Sequence, residues 1–142
     1  MVQQLSVFLQ NKSGKIAAIT DAFFEKGVDI RALSIADTTD FGILRILVSS
    51  LEKAKQALDS LNYIYSINEV FVVAVPDVPG GLAGVLRLMT AQGIDIEYMY
   101  SLVERGKNDA YMVFRVSDPA AMQKLLDENG INTVSGEALG LA

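Results

Sequence analysis

The chain has 142 residues, 51% apolar and 20% charged, which is enough hydrophobic surface for a folded core and room for one ordinary domain or two very small ones. It contains no His, Cys or Trp, which excludes a Ser-His-Asp triad, a thiolate nucleophile, a disulfide framework and His- or Cys-ligated zinc. With 12 basic and 17 acidic residues the formal charge is −5, and no basic cluster offers nucleic acid a surface.

No apolar run approaches the roughly 20 residues that span a bilayer. The opening Met1-Val2-Gln3-Gln4 lacks the charged lead and apolar stretch of a secretory signal. A cytoplasmic protein with no membrane partner, no cofactor and no metal is expected.

In chain order, residues 5–10 are apolar and β-prone, and Gly14 opens a helix with Ile16, Ile19 and Phe23 at helical spacing until Gly27 stops it. Leu33 and Ile35 alternate with small residues in a second strand that turns at Thr38-Thr39-Asp40, and residues 41–48 return as its hairpin partner. Ser49 and Glu52 have capping-box spacing at the start of a helix striped by Leu51, Ala54, Leu58 and Leu61. Residues 63–67 read as a fourth strand. The pattern then starts again. Residues 71–76 form a strand, Pro79-Gly80-Gly81 leads into a helix striped by Leu82, Val85, Leu86 and Met89, and a hairpin turns at residues 105–109. Asp118-Pro119 caps the last helix, which Gly130 ends.

The two halves are copies. Gly14 falls on Gly80, and Gly27-Val28-Asp29-Ile30 on Gly93-Ile94-Asp95-Ile96, at an offset of 66. Ile46-Leu47-Val48-Ser49 falls on Phe114-Arg115-Val116-Ser117 at an offset of 68, so a two-residue insertion lies in the second hairpin. Each copy reads strand, helix, strand, strand, helix, strand, which is the ferredoxin-like βαββαβ unit. The fold class is therefore α+β, with two such units in tandem, 1–67 and 68–142, their antiparallel sheets side by side and helices on one face. A unit of this size buries a modest share of its surface and is marginal alone, so duplication and a homodimer both follow.

Two recurring segments are polar enough to carry chemistry. The strand-to-helix loops are Asn11-Lys12-Ser13-Gly14 and Asp77-Val78-Pro79-Gly80-Gly81. Helix N-termini there present free N–H groups to an anion such as a carboxylate. The second segment, Asp29-Ile30 and Asp95-Ile96, starts the next strand. One helix separates the two segments, so they meet only through a neighbouring copy. Amides on one side and an Asp carboxylate on the other suit an α-amino acid. Both segments also have ordinary structural readings, as turn and helix-stop residues. Phosphate-loop strings such as Ser13-Gly14-Lys15 lack the full spacing of a nucleotide site.

Asn-x-x-Gly or Asp-x-Pro-Gly after a strand, followed by Gly-(Val/Ile)-Asp-Ile, resembles the ACT domain, and the stretch of residues 30–45 is similar to stand-alone tandem ACT proteins. The resemblance covers nearly the whole chain. It implies amino-acid binding at ACT–ACT interfaces, with ligand contacts at Asn11, Asp29, Asp77 and Asp95. Ser13 replaces the usual Pro of the first loop, and Asp replaces Asn at three of the four contact positions, which favours an ammonium group. No catalytic constellation is apparent. The reading is a non-catalytic, amino-acid-binding regulatory protein that acts on an unidentified enzyme or regulator. The alternative is the same fold serving oligomerisation without a ligand.

Overall fold

A computed structural model of the chain describes residues 1–10, 13–37 and 41–141. The elements run β1 (Val2–Gln10), α1 (Lys15–Glu25), β2 (Ile30–Asp37), β3 (Phe41–Val48), α2 (Leu51–Ser60), β4 (Ile64–Pro76), α3 (Gly81–Ala91), β5 (Ile96–Arg105), β6 (Asp109–Val116) and α4 (Pro119–Glu128). This is the expected α+β pattern. Among the described residues no helix is long and apolar enough to cross a membrane.

Two compact units divide these elements, one of residues 3–68 with 136–142 and one of residues 1–2 with 69–135. In the first, the strand order is β2-β3-β1 and then the start of β4; in the second it is β4-β6-β5. All the registered pairs are antiparallel.

Each unit buries its own core. In the first, Leu5, Val7 and Leu9 of β1 and Leu44, Ile46 and Val48 of β3 meet Ile19 and Phe23 of α1 and Ala54, Ala57 and Leu58 of α2. The second puts Phe71, Val73 and Val75 against Val85, Met89, Met122, Leu125 and Leu126. Matched positions differ in size: Phe23, Ala54 and Ala57 of the first core stand where the second has Met89, Met122 and Leu125, so the last helix of the second unit fills its core with larger side chains.

Both first helices end alike. Gly27 and Gly93 sit at φ 68° and 67°, the left-handed region that a side chain disfavours. Val28 N–H donates to the Phe23 carbonyl (2.8 Å) and Ile94 N–H to that of Met89 (3.0 Å), the signature of a Schellman stop. Gly27→Ala and Gly93→Ala are each expected to cost about 1–2 kcal/mol in urea unfolding, the penalty of a Cβ in this conformation.

Four local features depart from the sequence expectations. First, β1 begins at Val2, because Gln4 and Ser6 are polar yet buried. Gln4 Nε2 donates to Ser6 Oγ (3.1 Å), and that hydroxyl donates to Asn68 Oδ1 (2.7 Å), so the buried groups are satisfied. Second, β4 is one uninterrupted strand of 13 residues where two were expected. Third, α2 is capped by Ser50, whose hydroxyl accepts from Lys53 N–H, and not by Ser49. Finally, the closing strand of the second copy shrinks to one bridge, Val73 with Thr133. The chain then turns away at Gly136, and residues 136–141 belong with the first unit, where Leu139 is fully buried.

The inserted pair of residues is absorbed within β5. Ser101 pairs with Met112 and Arg105 with Ala110, a two-residue shift of register, whereas β2 and β3 keep one register from Ala32 to Asp37. A matched bulge near the start of both second strands falls at Arg31 and Glu97.

Candidate functional site

The strand-to-helix loops end in a shared device. Gly14 and Gly80 are the N-cap residues of α1 and α3, at φ 85° in both, and among the described residues neither helix has a side-chain cap. In α3 the Gly81 N–H is already taken by the Val78 carbonyl (3.0 Å), while helix N-termini in general present their remaining N–H groups favourably to an anion. Ser13, Gly14, Pro79 and Gly80 are exposed and Gly81 is half-buried. Asn11 and Lys12 lie outside the described residues.

Asp77 does not cap α3. Its carboxylate accepts from Arg105 Nη1 at 2.8 Å, and its N–H donates to the Asn108 carbonyl, so the loop is tied to the β5–β6 hairpin. The pair is solvent-exposed and worth only about 0–1 kcal/mol.

The second segment is held by a device the sequence did not reveal. Asp29 N–H donates to Ser49 Oγ (2.7 Å), while Ser49 N–H donates back to the Asp29 carbonyl (2.9 Å). Asp95 and Ser117 repeat this at 3.1 and 3.0 Å. The available signal was that Ser49 and Ser117 are matched positions of the repeat. Each reciprocal pair locks the backbone ahead of the strand and leaves the Asp side chain exposed. Asp29 Oδ2 lies 3.3 Å from Arg31 Nη1, and Arg31 Nε donates to the Leu139 carbonyl at 2.9 Å. Ile30 and Ile96 are half-buried and pack on the two cores. Ser49→Ala and Ser117→Ala are each expected to cost about 1 kcal/mol, with faster hydrogen exchange at the Asp29 or Asp95 amide.

Within one unit the loop and the Asp stand at opposite ends of the sheet. Gln10 pairs with Phe41, and Ile30 pairs with Val48, seven positions further along β3. At about 3.4 Å per residue that is roughly 24 Å. Pro76 with Asp109 and Ile96 with Val116 give the same spacing in the second unit. No single unit brings a helix N-terminus and its own Asp together. Among the described residues no group of three acidic side chains is placed to hold a metal ion.

Two ferredoxin-like units in tandem, each with a glycine-led helix N-terminus and an anchored Asp at opposite ends, define the class of the protein. The chain belongs to the family described as the ACT domain pair, which it matches over residues 1–141. It is similar to the crystal structure of protein BT0572 from Bacteroides thetaiotaomicron, with 37% identity, 98% of this chain and 95% of that one covered, and a TM-score of 0.89. It shares its fold with the ligand-free regulatory subunit of aspartate kinase from Thermus thermophilus (14% identity, 89% and 91% covered, TM-score 0.62). The same holds for the corresponding subunit from Thermus flavus (14% identity, 88% and 90% covered, TM-score 0.58). No curated protein matches the chain.

Proposed function

We propose that the protein is a non-catalytic regulatory module that binds an α-amino acid where a strand-to-helix loop of one ACT unit faces the Asp of another. The units are residues 1–67 and 68–142, and the neighbour is the twin unit or a second copy of the chain. The observation that carries this reading is the twinned pair of devices: N-cap glycines at φ 85° with no side-chain cap among the described residues, and Asp29 and Asp95 fixed by Ser49 and Ser117. The ligand carboxylate meets the helix amides around Ser13-Gly14 or Pro79-Gly80-Gly81. Its ammonium meets Asp29, Asp77 or Asp95, with Asn11 and Lys12 at the rim and Ile30 and Ile96 behind.

A fold shared with a regulatory subunit of aspartate kinase supports a role in reporting ligand occupancy to an enzyme or regulator. The protein acts as a homodimer in the cytoplasm. Exposed apolar side chains such as Phe24 (82%) and Ile64 (73%) favour self-association.

Calorimetric titration with each of the twenty amino acids tests the reading. One or a few should bind, and Asp29→Ala or Asp95→Ala should weaken that binding by about tenfold or more, the scale of a lost charge-assisted contact. Silence across the panel would refute the proposal and leave the ligand-free oligomerisation role.

A further inference from the structure

The first unit also contains a crevice that uses neither Asp29 nor Asp95. It encloses about 320 Å³ between the start of α1 and the turn that joins α2 to β4, with Phe8, Phe41, Leu61 and Ile64 around it and Lys15 and Tyr63 at its side. That volume lies at the low end of small-molecule sites. The Lys15 ammonium sits 5.9 Å from the centre of the Tyr63 ring, and among the described residues Lys15 forms no ion pair. A half-buried cation held over an aromatic ring, beside an apolar wall and without a carboxylate partner, is complementary to an anion with an apolar body.

The repeat supplies an internal comparison. The matching crevice of the second unit is lined by Pro76, Gly81, Asn129 and Ile131, which replace Gln10, Lys15, Leu61 and Tyr63. Gly81 stands where Lys15 does, and Tyr63 has become Ile131, so the cation and its ring are both missing. The cation on that side, Arg87, is exposed on the flank of α3.

We infer that the first unit's crevice binds a small monocarboxylate with an aromatic or aliphatic body, its carboxylate on Lys15 and its body against Phe8, Phe41 and Ile64. A free amino acid fits less well, because its ammonium would face Lys15. The crevice adjoins the Ser13-Gly14 loop of the amino-acid site proposed above but is lined by neither Asp29 nor Asp95.

Calorimetry with hydrocinnamate, on the intact chain, tests the inference. One site per chain is expected. The alcohol phenylpropanol, phenethylammonium and phenylalanine should each bind more weakly. Lys15→Met should reduce hydrocinnamate affinity by about tenfold or more, whereas Lys15→Arg should keep most of it. Asp29→Ala and Asp95→Ala should leave it unchanged, so this inference and the amino-acid reading fail independently. Because Lys15→Met could disturb α1, Ile64→Asp, at an exposed wall position, supplies a second variant that should also abolish binding. No hydrocinnamate binding at millimolar concentration, equal binding of the alcohol, or full affinity in Lys15→Met would each overturn the inference.

Discussion

Gly81→Ala is expected to destabilise the protein by about 2–3 kcal/mol, whereas Gly84→Ala in the same helix should be neutral or stabilising by up to about 1 kcal/mol. A Cβ at Gly81 collides with the carbonyl of Pro76, and the next atoms it meets are also of Pro76, so the obstacle is backbone and ring rather than a flexible side chain. At Gly84 only the tip of Arg87 lies near, at 3.9 Å, and alanine is the better helix former. The chain has no Trp, so far-UV circular dichroism in urea is the suitable readout. A fall in midpoint with an unchanged slope would report lost stability alone. An unchanged midpoint for Gly81→Ala would mean that the loop opens at no cost. The first unit sharpens the comparison, because Lys15 occupies the matching position with a full side chain. The two strand-to-helix loops therefore share their N-cap glycine but not their closeness to the strand before them.

The architecture was legible because the punctuation repeats: Gly14 and Gly80 open helices, Gly27 and Gly93 close them, and apolar spacing between these points fixes which face is buried. What escaped reading depends on contacts distant in sequence. Ser49 and Ser50 are adjacent and chemically identical, and the preference for Ser50 as cap follows from Asp29, twenty residues away, having claimed Ser49. Asn68-Glu69 interrupts the apolar run and suggests a break between strands. The ladder continues because Asn68 accepts from Ser6 and the Glu69 carbonyl accepts from Arg115.

The candidate site divides in the same way. The serine that anchors each Asp lies 20 or 22 residues away and was not legible locally, whereas the glycine positions of the loops and the place of each Asp at a strand start follow from local rules. The commitment of Asp77 to Arg105 does not, since the guanidinium arrives from a hairpin whose inserted residues set its reach. Lys15 carries no local signal of a binding group, because its partner ring, Tyr63, lies in the turn before β4, which only the folded unit brings alongside.

Leu139→Ala is expected to be the most costly single change in the tail, at about 2–4 kcal/mol, because it empties a fully buried leucine site. A lone leucine between Ala138 and Gly140 carries no periodicity, so its burial could not be inferred from pattern. Backbone bonds fold the segment into a compact turn, with Leu139 and Leu141 N–H both donating to the Gly136 carbonyl at 3.1 and 2.8 Å. Arg31 fastens that turn through the Leu139 carbonyl and also pairs with Asp29. The magnitude has a physical ceiling: if the tail detaches while the sheet stays folded, the loss cannot exceed the free energy of that local opening. Hydrogen exchange separates the cases. Global unfolding would raise exchange across β1 and β3, whereas detachment would raise it at Leu139 and Leu141 alone. Either pattern with a lowered urea midpoint fits a structural anchor, and an unchanged midpoint with unchanged exchange would contradict it. Arg31→Ala should free the same two amides and release the Asp29 carboxylate, so the tail and the proposed ammonium site are linked through one guanidinium. Truncation before Gly136 should then alter amino-acid affinity through Asp29 and leave hydrocinnamate binding at Lys15 untouched.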